Sequence, residues 1–373
     1  MAPTHVTSYD RGVKEKIGVR PADLQHERVS ASADIPFAPS PFRPAWWLPG
    51  PHFQTLGARW LRSRLHVPTH RERLELPDGD FVDLDFAFEP PLSNGSDTRP
   101  LVLVLHGLEG SARSGYALEI YRVLRERGMA AVGLNFRSCS GELNRLPRLY
   151  HSGETEDLQR VLRALAGRYP GRELGAIGVS LGGNVLLKYL GEAGSAARSY
   201  LGAAVAVSVP FDLSAGADQL LLPGGRLYTA HLLRRLREKL EAKRDLMPAK
   251  VDVARALRAR SFREFDDAVT APLHGFAGAE DYYNQSSSAG YLDRIRVPTL
   301  LLHSCDDPFL PRARIPRQKV EDNPNLTAVF TGHGGHIGFV ARSSPLKPCF
   351  WAEREAGRFA ATHLLHVSLT GIS

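Results

Sequence analysis

The sequence predicts an α/β protein, in which a mostly parallel central sheet carries helices on both faces and a helical cap is inserted into it. Three observations lead there. Apolar runs of strand length alternate with segments of helical period from Leu101 to Val209, the alternation stops between Pro210 and Tyr291, and strands return from Pro298. A chain that repeats strand, helix, strand makes parallel neighbours joined by crossovers, and the crossover helices cover both faces of the sheet.

The elements follow in order. Residues 1 to about 45 are rich in polar groups and proline with no sustained period, so a loosely ordered extension is expected there, followed by one domain over 46–373. Between Arg71 and Phe88, Leu74 and Leu76, then Leu84 and Phe86, alternate around Pro77-Asp78-Gly79-Asp80, which reads as a β-hairpin. Residues 101–105 form an unbroken apolar run, as a strand buried on both faces requires. Tyr116, Ile120, Tyr121 and Leu124 keep helical spacing, which ends at Gly128. A strand over 130–136, a helix around 154–166, a strand over 174–179, a helix over 181–190 and a strand over 201–209 complete the first block. In the cap, about 211–290, Leu232, Leu233, Leu236 and Leu240 keep helical spacing, and no apolar strand separates the helical segments. Strands over 298–302 and 326–330 and a helix from about 350 to 365 close the chain.

Composition sets the class. Of 373 residues, 43 % are hydrophobic and 23 % charged, which excludes a disordered, fibrous or low-complexity protein. No stretch approaches the roughly 18 uncharged apolar residues of a membrane span, and residues 1–20 carry charges throughout, unlike a secretory signal. Cys139, Cys305 and Cys349 are widely separated and make neither a disulfide framework nor a zinc spacing. A cytoplasmic location is therefore expected, with no metal. The net charge is +7, and the segment from Arg226 to Arg260 holds eleven basic and four acidic residues. That patch reads first as a solvated helix face and second as a surface that could meet phosphate.

The chemistry is concentrated in three loops. Gly178-Val179-Ser180-Leu181-Gly182 falls where a strand ends and a helix begins, the setting of a nucleophile elbow. A serine hydroxyl attacks only when a base removes its proton, so an acid and a histidine are required further along, each after a strand. Asp306-Asp307-Pro308 follows the strand at 298–302, and Asp307 is preferred as the orienting acid, with Asp306 the alternative. Gly332-His333-Gly334-Gly335-His336-Ile337-Gly338 follows the strand at 326–330, and His336 is preferred to His333 because glycines give it room. The backbone N–H groups of Leu108, after His106-Gly107, and of Leu181 are expected to form the oxyanion hole, with His106 a structural residue.

These residues resemble one family in particular, the YheT-like branch of the α/β-hydrolases, related to abhydrolase-domain lipases and medium-chain ethyl-ester synthase/esterases. The likeness begins at Trp47-Leu48-Pro49-Gly50-Pro51-His52-Phe53-Gln54-Thr55 and continues through His106-Gly107-Leu108-Glu109-Gly110 and Asn135-Phe136-Arg137-Ser138-Cys139-Ser140-Gly141-Glu142. It takes in Asn144-Arg145, Tyr150-His151-Ser152-Gly153, the serine elbow, Gly275-Phe276, Asp281-Tyr282-Tyr283, Asp306-Asp307-Pro308-Phe309 and Gly334-Gly335-His336-Ile337-Gly338-Phe339. One departure is Ser138, where glycine is expected. The resemblance implies an α/β-hydrolase fold and a serine ester hydrolase acting on short- to medium-chain acyl esters or acylglycerols, with Ser180, Asp307 and His336 as triad and no cofactor.

The expected partner is thus a small-molecule acyl ester or lipid. Acyl transfer or thioester hydrolysis would use the same triad, and a non-enzymatic protein holding anionic surfaces on the basic cap is the alternative from another class. Nucleic acid is not expected. The stretch 232–246, where leucines mix with Arg234, Arg235, Arg237, Lys239, Lys243 and Arg244, is expected to roof the acyl pocket and to touch anionic membrane surfaces.

Overall fold

The computed structural model describes residues 37–87, 98–342 and 344–365. Most of the expected N-terminal extension, residues 1–36, and Phe88 at the end of the expected hairpin lie outside the described residues. Eight strands make one sheet: β1 (His70–Glu75), β2 (Phe81–Phe86), β3 (Leu101–Leu105), β4 (Ala130–Asn135), β5 (Leu174–Val179), β6 (Ala203–Val207), β7 (Thr299–Ser304) and β8 (Leu326–Thr331). Their order is β1-β2-β4-β3-β5-β6-β7-β8. The β1–β2 hairpin and the β2–β4 pair are antiparallel, and every other neighbour pair is parallel. The α/β architecture read from the sequence, with its helical insertion, is the one observed.

Six helices concern the site: α1 (Gly50–Arg62), α2 (Gly115–Glu126), α3 (Glu156–Arg168), α4 (Leu181–Ala193), α5 (Leu213–Gln219) and α6 (Arg226–Ala242). Period-two alternation explains the two cores. In β3 the leucines 101, 103 and 105 face the layer of α3 and α4, whereas Val102 and Val104 face α2 and the terminal helix Trp351–Leu364. Each such side chain, once fully buried, favours folding by about 1.5–3 kcal/mol relative to exposure. A third cluster lies in the cap, where Leu220, Leu233, Leu240, Phe262, Phe265 and Tyr282 pack on one another.

The Asn135–Arg145 motif is structural. Arg137, at the end of β4 and almost fully buried, donates to both carboxylate oxygens of Asp157 at 2.7 and 2.8 Å and to Asp80 at 2.9 Å. Asn144 donates to Asp80 at 2.5 Å and accepts from Lys243 of the cap at 2.6 Å, so the base of the cap is tied to this network. Ser138 has φ 62°, a conformation that glycine adopts without strain, which accounts for glycine being expected there. The serine is held by its own side chain, which donates to Asn144 Oδ1 and accepts from the Asn144 N–H at 3.1 Å.

Helix α1 was not foreseen as a helix. Its start, Pro49-Gly50-Pro51, resembles a turn, and its buried residues, Gln54, Ala58 and Arg62, are too polar to mark an apolar stripe. It is nonetheless docked: Gln54 accepts from the Val340 N–H at 2.8 Å, and Arg62 donates to Ile337 O at 2.8 Å and pairs with buried Glu353. Phe37 and Phe42 pack on the core under the terminal helix, and Ala45 is buried beside Leu48.

Candidate active site

Ser180 stands at the turn between β5 and α4 with φ 54° and ψ −120°. An L-residue with positive φ is strained, and the surroundings must hold it. Here they leave no slack. A Cβ on Gly178 would lie 2.5 Å from Gly182 O, and one on Gly182 would lie 2.6 Å from both Leu105 O and His106 O. The two glycines therefore allow strand, elbow and oxyanion loop to approach closely, and the turn lifts the hydroxyl out of the sheet.

The structure brings the three predicted side chains together. The Ser180 hydroxyl donates to His336 Nε2 at 2.9 Å, and His336 Nδ1 donates to Asp307 at 2.9 and 3.1 Å. All three are buried. The alternatives pair with each other instead: His333 is exposed and lies 3.4 Å from Asp306 Oδ2. Asp306 Oδ1 accepts from the Gly335 N–H at 2.9 Å, so this carboxylate braces the histidine loop from the side.

Several groups that the sequence did not single out orient the imidazole. Thr55 Oγ of α1 accepts from the His336 N–H at 2.9 Å, and Ser208 Oγ accepts from the Ile337 N–H at 2.9 Å. Phe309 stacks on the imidazole at 3.9 Å with 14° between the planes. Gly335, at φ 61°, lies against Pro51 O of α1 where any Cβ would collide. The stretch Trp47–Thr55 was visible only as a block of resemblance, because its task is a tertiary contact.

Leu108 and Leu181 line the cavity together with Ser180 and His336. A Cβ on Gly107 would lie 3.1 Å from Ser180 Cβ, so the loop carrying the Leu108 N–H passes directly beside Ser180. His106 donates from Nδ1 to Gly107 O at 2.7 Å and accepts at Nε2 from the Phe136 N–H at 3.2 Å. Burial pushes its pKa down to about 3, so it is a neutral strut and not a second base.

Glu109, next to Leu108, has φ 53° and is buried. Its carboxylate accepts from Tyr150 at 2.9 Å and from Lys239 of α6 at 2.8 Å, with Arg235 at 3.6 Å. The cap thus grips the loop that carries Leu108. Lys239→Met should destabilise the fold by about 3 kcal/mol in urea unfolding, because it leaves a buried carboxylate with a weaker partner. Adding Glu109→Gln should restore part of that loss, and strict additivity of the two changes would contradict the coupling.

The cavity beyond Ser180 measures about 130 Å³ and is walled mainly by cap and loop side chains such as Leu149, Leu213, Leu220, Leu232, Leu236 and Phe265. One acid interrupts this wall. Asp266, in a single π-helical turn, accepts from Thr270 at 2.6 Å and from Tyr283 at 2.7 Å, and burial pushes its pKa up to about 6. A carboxyl that holds its proton more tightly when folded stabilises the fold below its ordinary pKa of 3.8, and this contribution disappears as pH rises to about 6. Asp266→Asn should therefore raise Tm at pH 8 relative to wild type and leave that gain absent at pH 4; an equal shift at both pH values would contradict it.

Of the arginine- and lysine-rich stretch, Lys239 bonds Glu109, Lys243 is buried at Asn144, and Arg237 donates to Ala259 O. Leu232 and Leu236 face the cavity as its roof. No helix among the described residues is long and apolar enough to cross a membrane.

Comparison with known proteins gives the family. Residues 100–342 match the family described as alpha/beta hydrolase fold. The chain is 39 % identical to YheT of Escherichia coli, whose name carries a proposed esterase activity, over 84 % of this chain and 91 % of that protein. It is 33 % identical to human phospholipase ABHD3 over 82 % of this chain and 75 % of that one, and 32 % identical to the monoacylglycerol lipase of Saccharomyces cerevisiae over 67 % and 57 %. Among solved structures, an esterase of Pyrococcus furiosus superposes with a TM-score of 0.51 at 18 % identity, covering 80 % of this chain and 92 % of that one, which is a likeness of fold. The chain belongs to the α/β-hydrolase family, in the YheT-like branch of esterases and lipases.

Proposed function

We propose that the chain is a serine ester hydrolase that cleaves short- to medium-chain acyl esters or acylglycerols through an acyl-enzyme. The observation that carries this reading is the unbroken chain of hydrogen bonds from Ser180 through His336 to Asp307 at the strained elbow. His336 Nε2 accepts the serine proton as Oγ attacks the ester carbonyl, and it returns that proton to the departing alkoxide. Asp307 holds the imidazole in the tautomer whose Nε2 lone pair faces the serine. The N–H groups of Leu108 and Leu181 receive the charge that forms on the carbonyl oxygen, and α4 begins at that point, so its N-terminal dipole adds to the field. Water then repeats the sequence on the acyl-serine and releases the acid.

A cavity of about 130 Å³ is small beside the ~300–1,000 Å³ of pockets for drug-sized ligands. That size suits a short or medium acyl chain. The test is a p-nitrophenyl ester series of increasing chain length, with glycerol and water competing as acceptors. Turnover that peaks at short to medium chains and yields free acid supports the proposal. Turnover that rises steadily to long chains, or product formed only with glycerol, argues against the chain-length or the hydrolytic part respectively.

A further inference from the structure

We propose that the outer face of α1, continued by the cap turn between α5 and α6, is a docking surface for anionic lipid bilayers. Helix α1 has two faces. Gln54, Ala58 and Arg62, spaced four apart, are buried, whereas Phe53, Leu56 and Trp60, spaced three and four apart on the other side, are 63 %, 53 % and 61 % exposed. Trp46, just before the helix, is 75 % exposed. A soluble surface rarely gathers large apolar side chains into one stripe without an occupant.

The cap extends the stripe. His52 of α1 bonds the hydroxyl of Tyr228 at 3.0 Å with the rings stacked, and a Cβ on Gly224 would lie 3.0 Å from the His52 ring. Leu222 and Leu227, on either side of that junction, are 53 % and 80 % exposed. The imidazole of His231 in α6 is held below its ordinary pKa by burial and next by Arg59 of α1.

Charge identifies the occupant. The sequence has no acidic residue from Ile35 to Arg71 and none from Gln219 to Arg237. Exposed Arg59 and Arg64 flank the stripe on α1, with the Arg64 guanidinium over the Trp60 ring, and exposed Arg226 flanks it on the cap. Apolar side chains with tryptophans among them and a rim of arginines match the boundary between acyl chains and anionic headgroups. The face is distinct from the leucine–arginine stretch of 232–246, in which Leu233, Leu240 and Lys243 are buried and Arg234, Arg244 and Leu246 are exposed. It is also close to the chemistry, because Leu220 lines the cavity and Leu222, two residues on, is exposed. This deepens the proposed function by naming the surface from which lipid esters arrive, and it rests on that reading for this purpose alone.

The experiment is co-sedimentation of the full chain with phosphatidylglycerol or phosphatidylcholine vesicles, with turnover of a soluble p-nitrophenyl ester measured in parallel. The wild type is expected to partition onto phosphatidylglycerol, and to be released at about 0.5 M salt only in part, since the apolar contribution persists. Phe53→Ser/Trp60→Ser and, separately, Leu227→Ser should weaken partition by about tenfold with soluble turnover kept. Arg59→Gln/Arg64→Gln should weaken it on phosphatidylglycerol and not on phosphatidylcholine. Absent partition of the wild type, or equal partition of the variants, overturns the proposal. A dimer in light scattering that these substitutions dissolve, without vesicle binding, also overturns it and assigns the face to a second copy of the chain. Vesicle binding requires no turnover, so a protein that binds but cleaves no ester would refute the hydrolase reading and leave this one standing.

Discussion

Ser180→Ala is expected to lower kcat on a p-nitrophenyl ester by about 10⁴- to 10⁶-fold and to abolish labelling by a fluorophosphonate. The size of the effect follows from the geometry. Ser180 Oγ is the group that the imidazole reaches, at 2.9 Å, and alanine leaves the base with no proton to remove. The fold should survive, because the Ser180 N–H bond to Val207 O at 2.8 Å involves the backbone alone. Alanine at a positive φ replaces one strained L-residue by another, so Tm should move little. Any residual rate reports what the oxyanion donors and substrate positioning achieve without a nucleophile. Retention of labelling and turnover in a correctly folded variant would remove the basis of the proposed mechanism.

Asp307→Asn should cost about 10⁴-fold in kcat, whereas Asp306→Asn should cost far less. The Asp307 carboxylate accepts from His336 Nδ1 and, through Oδ1, from the Phe309 N–H at 2.8 Å. An asparagine here would keep its carbonyl oxygen on the Phe309 N–H and turn its NH₂ toward the imidazole. Nδ1 must then accept, the proton moves to Nε2, and Nε2 can no longer take the serine proton. Asp306 accepts from the Ser304 hydroxyl and the Gly335 N–H and lies beside the exposed His333, away from the His336 ring, so its change should loosen the histidine loop and leave the tautomer alone. Matching kinetics for the two variants, or a larger loss at Asp306, would reverse the assignment of the acid.

The sheet was legible because burial on both faces forces strands such as residues 101–105 to be apolar throughout, a pattern visible in one dimension. The loops at 178–182, 306–308 and 332–338 were legible because chain order along an α/β sheet maps onto position at its C-terminal edge. The choice of Asp307 over Asp306 rested on its place before the Pro308 turn, and that of His336 over His333 on the room its glycines leave; the structure pairs 307 with 336 and 306 with 333. Helix α1 was not legible: its inward residues are Gln54, Ala58 and Arg62, and Gln54 and Arg62 bond backbone groups of residues 337–340, far away in the sequence. The Glu109–Lys239 grip was equally hidden, since two opposite charges 130 positions apart carry no local pattern.

The dependence of His336 on Thr55, 281 positions earlier, has a consequence for how the protein matures. Helix α1 precedes the serine elbow along the chain, and the histidine loop follows it. Under the proposed mechanism a nascent chain that already displays the serine elbow still lacks its base, because the imidazole finds this support only when α1 and the histidine loop meet. Under the proposed mechanism, reactivity toward esters therefore begins only once the histidine loop has been made and has closed on α1.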